Sequence, residues 1–147
     1  MPKLRQNTLL LSKRIMSWQI YVDGASSGNP GDSGAGMVIF DGNGTEIFRD
    51  SVFLGKMTNN MAEYEALLRA LGKAHEYGAQ DVVAHTDSLL VANQVIGTYK
   101  IKNDILRQYV VRVKKIISNF DHFAIQYIPR EQNTIADKLA KGGIKKG

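Results

Sequence analysis

Cysteine is missing from this chain altogether. That excludes a disulfide scaffold, a thiolate zinc site, a cysteine nucleophile and an iron–sulfur cluster in one step. Histidine is scarce. His75, His85 and His122 stand apart without ligand spacing, so no histidine-built metal site is expected. No apolar run approaches the roughly 20 residues of a membrane-spanning helix, so no membrane partner is expected. Internal repeats, linkers and low-complexity tracts are also lacking. Acidic residues are absent from both ends: residues 1–16 carry Lys3, Arg5, Lys13 and Arg14, and residues 138–147 carry Lys138, Lys141, Lys145 and Lys146. The whole chain is only +5, so the body between these ends is net negative. An acidic body inside a basic protein directs attention to clustered carboxylates and a metal site.

The remainder is ordinary for a globular protein: 147 residues, 44% hydrophobic and 22% charged, enough for one domain with its own core. Residues 1–16 read as a basic, loosely ordered arm and residues 17–147 as a single domain. Leu9-Leu10-Leu11 is too short for a secretory h-region. A transit peptide and a plain arm are the two readings of this segment, with Met16 a candidate start.

From Trp18 onward the elements separate clearly. Trp18–Asp23 is a strand, Gly24–Gly31 a loop of turn residues, and Gly34–Phe40 a second strand. Asp41-Gly42-Asn43-Gly44 is a hairpin turn leading to a third strand, Thr45–Leu54. A helix follows over about Asn60–Tyr77, closed by Gly78. Asp81–Thr86 is a fourth strand, Ser88–Ile96 and Asp104–Ser118 are helices, Phe123–Ile128 is a fifth strand and Asn133–Lys141 a last helix. Three hairpin strands and then alternating helix and strand predict an α/β fold. Its sheet is mixed and five-stranded, three antiparallel strands then two parallel, flanked by helices.

Four acids sit at element edges. Asp23 ends the first strand; alone it is a turn signal. Glu63 falls in the first turn of the long helix, in line with Leu67, Ala70 and Ala74 on the apolar face. Helix-dipole attraction explains a carboxylate there but not its facing inward. Glu65 points elsewhere and can pair with Arg69 at i+4. Asp87 ends the fourth strand, where a helix N-cap is the plain reading. Asp137 lies in the first turn of the last helix. Each acid alone has a bland explanation, but the four together lie where ligands bind such sheets, beyond the strand carboxyl ends.

Two carboxylates about 4 Å apart repel by roughly 4 kcal/mol at an effective dielectric near 20. Several stay ionised only with cations between them. An all-oxygen set selects Mg²⁺ or Mn²⁺ over zinc. A pair of such ions roughly 3.5–4 Å apart is the usual device for phosphodiester hydrolysis. The surrounding loops suit a polyanion. Ser26, Ser27 and Asn29 are small hydrogen-bonding residues, although GASSGNPG is also a plain connector and is no P-loop. Lys56-Met-Thr-Asn-Asn60 precedes the Glu63 helix, where backbone N–H groups can meet phosphate, while Thr58 or Asn59 can equally be a simple cap. Asparagine both donates and accepts, so it can read a ribose 2′-OH beside a base edge. Lys100, Lys102, Arg107, Arg112, Lys114 and Lys115 form a basic stretch, either a nucleic-acid contact or a solvated helix face.

Four motifs in order carry a family resemblance. They are Tyr21-Val-Asp23-Gly-Ala-Ser-Ser-Gly-Asn29-Pro-Gly, Thr58-Asn-Asn-Met-Ala-Glu63, Thr86-Asp87-Ser88 and Asn133-Thr-Ile-Ala-Asp137-Lys-Leu-Ala. Together they resemble type 1 ribonuclease H from Trp18 to about Lys141. The resemblance implies a ribonuclease H-like fold and a cytoplasmic, monomeric endonuclease. Such an enzyme cuts the RNA strand of RNA–DNA hybrids with two Mg²⁺ or Mn²⁺ ions and leaves 5′-phosphate and 3′-hydroxyl ends. It assigns Asp23, Glu63, Asp87 and Asp137 to catalysis and metal binding. It places Asn29, Asn59 and Asn60 near the ribose 2′-hydroxyls, Thr58 and Lys56 at a DNA-strand phosphate, and Gly24 and Ser26 beside the RNA.

The chain departs from the family pattern in three places. The long basic protrusion of many members is reduced to Gly97-Thr-Tyr-Lys-Ile-Lys102. The loop before the last helix, Pro129-Arg130-Glu131-Gln132, has no histidine, leaving Arg130 to contact phosphate; His122 is expected to lie too far away. Leu89 stands where a polar RNA contact is common. These features match the compact branch of the family. Two alternatives are a catalytically silent binding module on the same fold and a nuclease that also cuts double-stranded RNA.

Overall fold

The computed structural model describes residues 16–147, and all of the expected 1–16 arm except Met16 lies outside the described residues. Five strands form one sheet in the order β3-β2-β1-β4-β5: β1 (Trp18–Ser26), β2 (Gly31–Phe40), β3 (Glu46–Met57), β4 (Asp81–Thr86) and β5 (His122–Tyr127). β1, β2 and β3 pair antiparallel, whereas β1–β4 and β4–β5 pair parallel, as the element pattern predicts. The helices among the described residues are α1 (Asn59–Glu76), α2 (Leu89–Ile96), α3 (Asp104–Ile117) and α4 (Thr134–Ile144). None of them is long and apolar enough to cross a membrane.

The two faces of the sheet are covered in different ways. Ile20, Val22, Met37, Ile39 and Ala84 turn to one side, and α1 buries Leu67, Ala70, Leu71 and Ala74 against them. α3 closes this layer, with Tyr109 stacked on Tyr64 at a centroid distance of 5.5 Å. Alternation along β2 sends Gly34 and Gly36 to the other side, beneath α4. A Cβ on Gly36 would stand 2.2 Å from the Ala136 carbonyl oxygen, and one on Gly34 would stand 2.2 Å from that of Ala140. The helix therefore rests backbone on backbone, which only glycine permits.

Several boundaries differ from the sequence reading. The Gly24–Gly31 segment is strand at both ends, because pairing continues through Gly24↔Ala35, Ala25↔Gly34 and Ser26↔Ser33 and β2 starts at Gly31. Asp23 is therefore inside β1 rather than at its end. β3 runs on to Met57 past an irregularity opposite Ser33 and Gly34, where Gly55 takes a φ of 78°. α1 begins at Asn59, so Glu63 opens its second turn, beyond the strongest helix-end field. α4 continues through Gly142 and Gly143 to Ile144, because Gly143 packs on the Val52 carbonyl. Gly78 does follow α1 in the left-handed region, with φ 83°.

Candidate active site

Asp23, Glu63 and Asp87 converge at the carboxyl ends of β1 and β4, each offering an oxygen within 4.8 Å of the others. Asp23 is 3% exposed and Glu63 5%. Asp87 is half-buried. Glu63 reaches the site because α1 crosses β1 at Gly24, where a Cβ would lie 2.2 Å from the Ala62 carbonyl carbon. That contact lets the Gly24 N–H donate to Glu63 Oε1 at 2.5 Å. Gly24, expected beside substrate, thus supports a carboxylate. Asp137 approaches Asp23 from α4 and pairs with Lys141 at 3.0 Å. It touches the cluster without joining the mutually close trio.

The bland reading of Asp87 as an N-cap fails. Ser88 caps α2, its Oγ accepting from the Val91 N–H at 3.1 Å. Asp87 instead accepts from Asn133 Nδ2 at 3.2 Å. Glu65 and Arg69 form no ion pair in the structure; both line a groove between α1 and α3 with Arg112 and Lys115.

Burial pushes the Asp23 carboxyl up to about 10, reinforced by the charge of Glu63 beside it. Burial also raises Glu63, to about 7, while hydrogen bonds from Asp23 and the Gly24 N–H oppose the rise. The proton thus rests on Asp23, and Glu63 accepts from it. Such a pair ionises fully when a cation replaces the proton. Three carboxylates in mutual reach, two of them buried, fit a hard divalent cation and leave no role for nitrogen or sulfur ligands.

The expected substrate residues fall at and just after the end of β1, at the end of β3 and the start of α1, and on Arg130 before α4. Asn29 and Asn59 are exposed and joined, Asn29 Oδ1 accepting from the Asn59 N–H at 3.0 Å. Asn60 lies beside them in the first turn of α1. Thr58 is the N-cap of α1, accepting from the Met61 N–H at 3.2 Å. Lys56 is exposed near the end of β3. Ser26 Oγ is directed at main-chain carbonyls, those of Gly28 and, at 3.2 Å, Met57. Arg130 is exposed and close enough to Glu63 to favour its charged form. His122 pairs with Asp81 in the register, at the opposite end of the sheet from Thr86 and Tyr127, as expected. Within the basic stretch, Arg112 and Lys115 line the groove between α1 and α3. Lys100 and Lys102 lie on the short connection between α2 and α3, Arg107 pairs with Asp104 at 3.1 Å, and Arg112 stacks over Tyr109.

Asn133 is the site residue that the sequence reading missed. It stands just before a helix, where an asparagine signals a cap, yet it makes no side-chain cap bond. It is 2% exposed and turned inward.

The profile of the reverse transcriptase-like family matches residues 21–143. A ribonuclease H of Anaplasma marginale is 32% identical over 143 residues, covering 86% of this chain and 90% of the relative. The chain belongs to the ribonuclease H family. Ribonuclease HI of Halobacterium salinarum is 39% identical over 124 residues, which is 84% of this chain and 62% of that protein. This ribonuclease H chain thus spans under two thirds of that relative. The crystal structure of RNase H1 from the same archaeon superimposes with a TM-score of 0.86 at 36% identity, covering 89% of this chain and 99% of the other. LC11-RNase H1, solved in complex with RNA/DNA hybrid, superimposes with a TM-score of 0.83 at 36% identity, covering 88% and 98%.

Proposed function

We propose that the protein is an endonuclease that cuts the RNA strand of RNA–DNA hybrids, leaving 5′-phosphate and 3′-hydroxyl ends. The observation that carries this reading is the convergence of Asp23, Glu63 and Asp87 at the strand ends, with Asp137 alongside. These four residues would hold two Mg²⁺ or Mn²⁺ ions. Such ions, when bound, activate a water and neutralise charge on the phosphate and the leaving oxygen.

The chain's own groups orient the duplex. Asn29 uses its oxygen on the Asn59 N–H, which leaves Nδ2 free to donate to a ribose 2′-hydroxyl. Asn59 and Asn60 present further amides from the first turn of α1. Thr58 accepts from Met61 as a cap, so its O–H remains a donor for a DNA-strand phosphate, with Lys56 supplying charge. Ser26 tightens the turn that carries Asn29. Arg130, near enough to Glu63 to favour its charged form, would serve as a phosphate contact in place of the family's histidine. The proposed enzyme acts as a monomer in the cytoplasm.

One gel tests this reading: labelled hybrid, duplex DNA and duplex RNA, each with Mg²⁺, Mn²⁺ or EDTA. Cleavage of the RNA strand of the hybrid, abolished by EDTA, is expected. Binding without cleavage would favour the silent module, and equal cutting of duplex RNA would broaden the substrate class.

A further inference from the structure

We infer that Asn133 is a positioning residue that sets the Asp87 carboxylate for divalent-ion binding. This rests on the proposed role of Asp87 as a ligand. Asn133 Nδ2 donates to two oxygens at once, the Val22 carbonyl at 2.9 Å and Asp87 Oδ2 at 3.2 Å. Val22 immediately precedes Asp23, so one amide ties the strand of the buried acid to the acid that follows β4. The orientation of the amide follows from chemistry. Reversed, its oxygen would face two other oxygens with no proton between them.

Three further observations point the same way. Asn133 forgoes the cap bond usual for asparagine before a helix, so its inward turn costs α4 a stabilising contact. Its Oδ1 is buried without a partner, an arrangement that pure stability disfavours. Asp87 is otherwise poorly held: Asn133 is the only side chain among the described residues whose hydrogen bond to it is seen. Unlike a lysine, a neutral amide orients a carboxylate without competing with a cation for its charge. A donor held this way around a ligating group typically governs metal affinity by roughly 10–100-fold.

The test is a cycle on the full chain, read by Mg²⁺ titration without substrate, followed calorimetrically and by the rise in melting temperature. Asn133→Ala is made in the native protein and in Asp87→Asn. In the native background it should weaken Mg²⁺ binding roughly 10–100-fold. In Asp87→Asn it should add little, because the group it orients is gone. On hybrid substrate it should lower kcat more than it raises KM. Asn133→Ser, smaller but still a donor, should fall between, and it carries the comparison if the alanine variant does not fold in EDTA. Equal weakening in both backgrounds, or none in the native one, would overturn the inference and leave the proposed function standing. If Asp87→Asn itself binds Mg²⁺ as the native protein does, the ligand assignment beneath both falls.

Discussion

Two pairs of acids meet at one end of the sheet, and they are held by different means. Asp23 and Glu63 are buried on β1 and α1, and their support is backbone: the Gly24 N–H and the close crossing of helix over strand. Asp87 and Asp137 are half-buried at the rim, supported by one side chain each, Asn133 and Lys141. The inner pair bears the desolvation cost and offsets it by keeping a proton on Asp23 that Glu63 accepts. The outer pair remains partly in contact with solvent, closer to where a charged ligand would arrive. Rigid, costly acids are built into the core, and cheaper, adjustable ones finish the site from outside.

The largest expected effect ignores this division. Asp23→Asn and Asp87→Asn should each reduce turnover on a hybrid by about 10³-fold or more, since each removes a ligand of ions worth several kcal/mol to the transition state. Circular dichroism should show both variants folded. Near-native turnover in either would break the four-acid assignment.

A second effect should separate the pairs. In EDTA, unfolded carboxylates titrate near pH 4, whereas folded Asp23 and Glu63 hold protons up to about 10 and about 7. Across that window the folded protein binds more protons than the unfolded chain, so its stability falls as pH rises. The melting temperature should therefore decline from about pH 5 to about pH 9, and saturating Mg²⁺ should flatten the decline. Asp23→Asn should remove most of the slope and Asp137→Asn little of it. Equal slopes in the two variants would erase the distinction between inner and outer acids.

A smaller effect concerns the rim. Asp87→Asn should raise the melting temperature in EDTA at neutral pH, by roughly 2–4 °C for each kcal/mol of repulsion relieved. Asp137→Asn should raise it less, because it also loses the Lys141 pair. Mg²⁺ should then stabilise either variant less than the native protein. A variant that melts lower in EDTA, with an unchanged Mg²⁺ response, would return that aspartate to a structural role.

Smallest of all, Glu65→Gln should leave turnover on a hybrid unchanged in a steady-state assay, because Glu65 lines the groove between α1 and α3 and is not part of the acidic trio.

The order of elements and the convergence of Asp23, Glu63 and Asp87 were legible because local signals agree with the global fold: hairpin turns, the apolar stripe of α1, and Gly78 at its end. The extension of β1 through Ser26 was not, since turn residues such as Gly24 also serve where a helix must come close to a strand. The run of α4 through Gly142 and Gly143 was hidden in the same way, by glycine used for packing and not for stopping. Asn133 was not legible as a site residue, because sequence reports that an amide stands at the start of a helix, not which way it turns.

The amide that joins Asn133 to Val22 spans 111 residues of a 147-residue chain. Closing a loop of that length costs chain entropy, which the docked helix must offset. With α4 undocked, Asp23, Glu63 and Asp87 remain, but Asp137 and the Asn133 amide are absent from the site. The proposed site is therefore whole only when α4 is seated on β1 and β2.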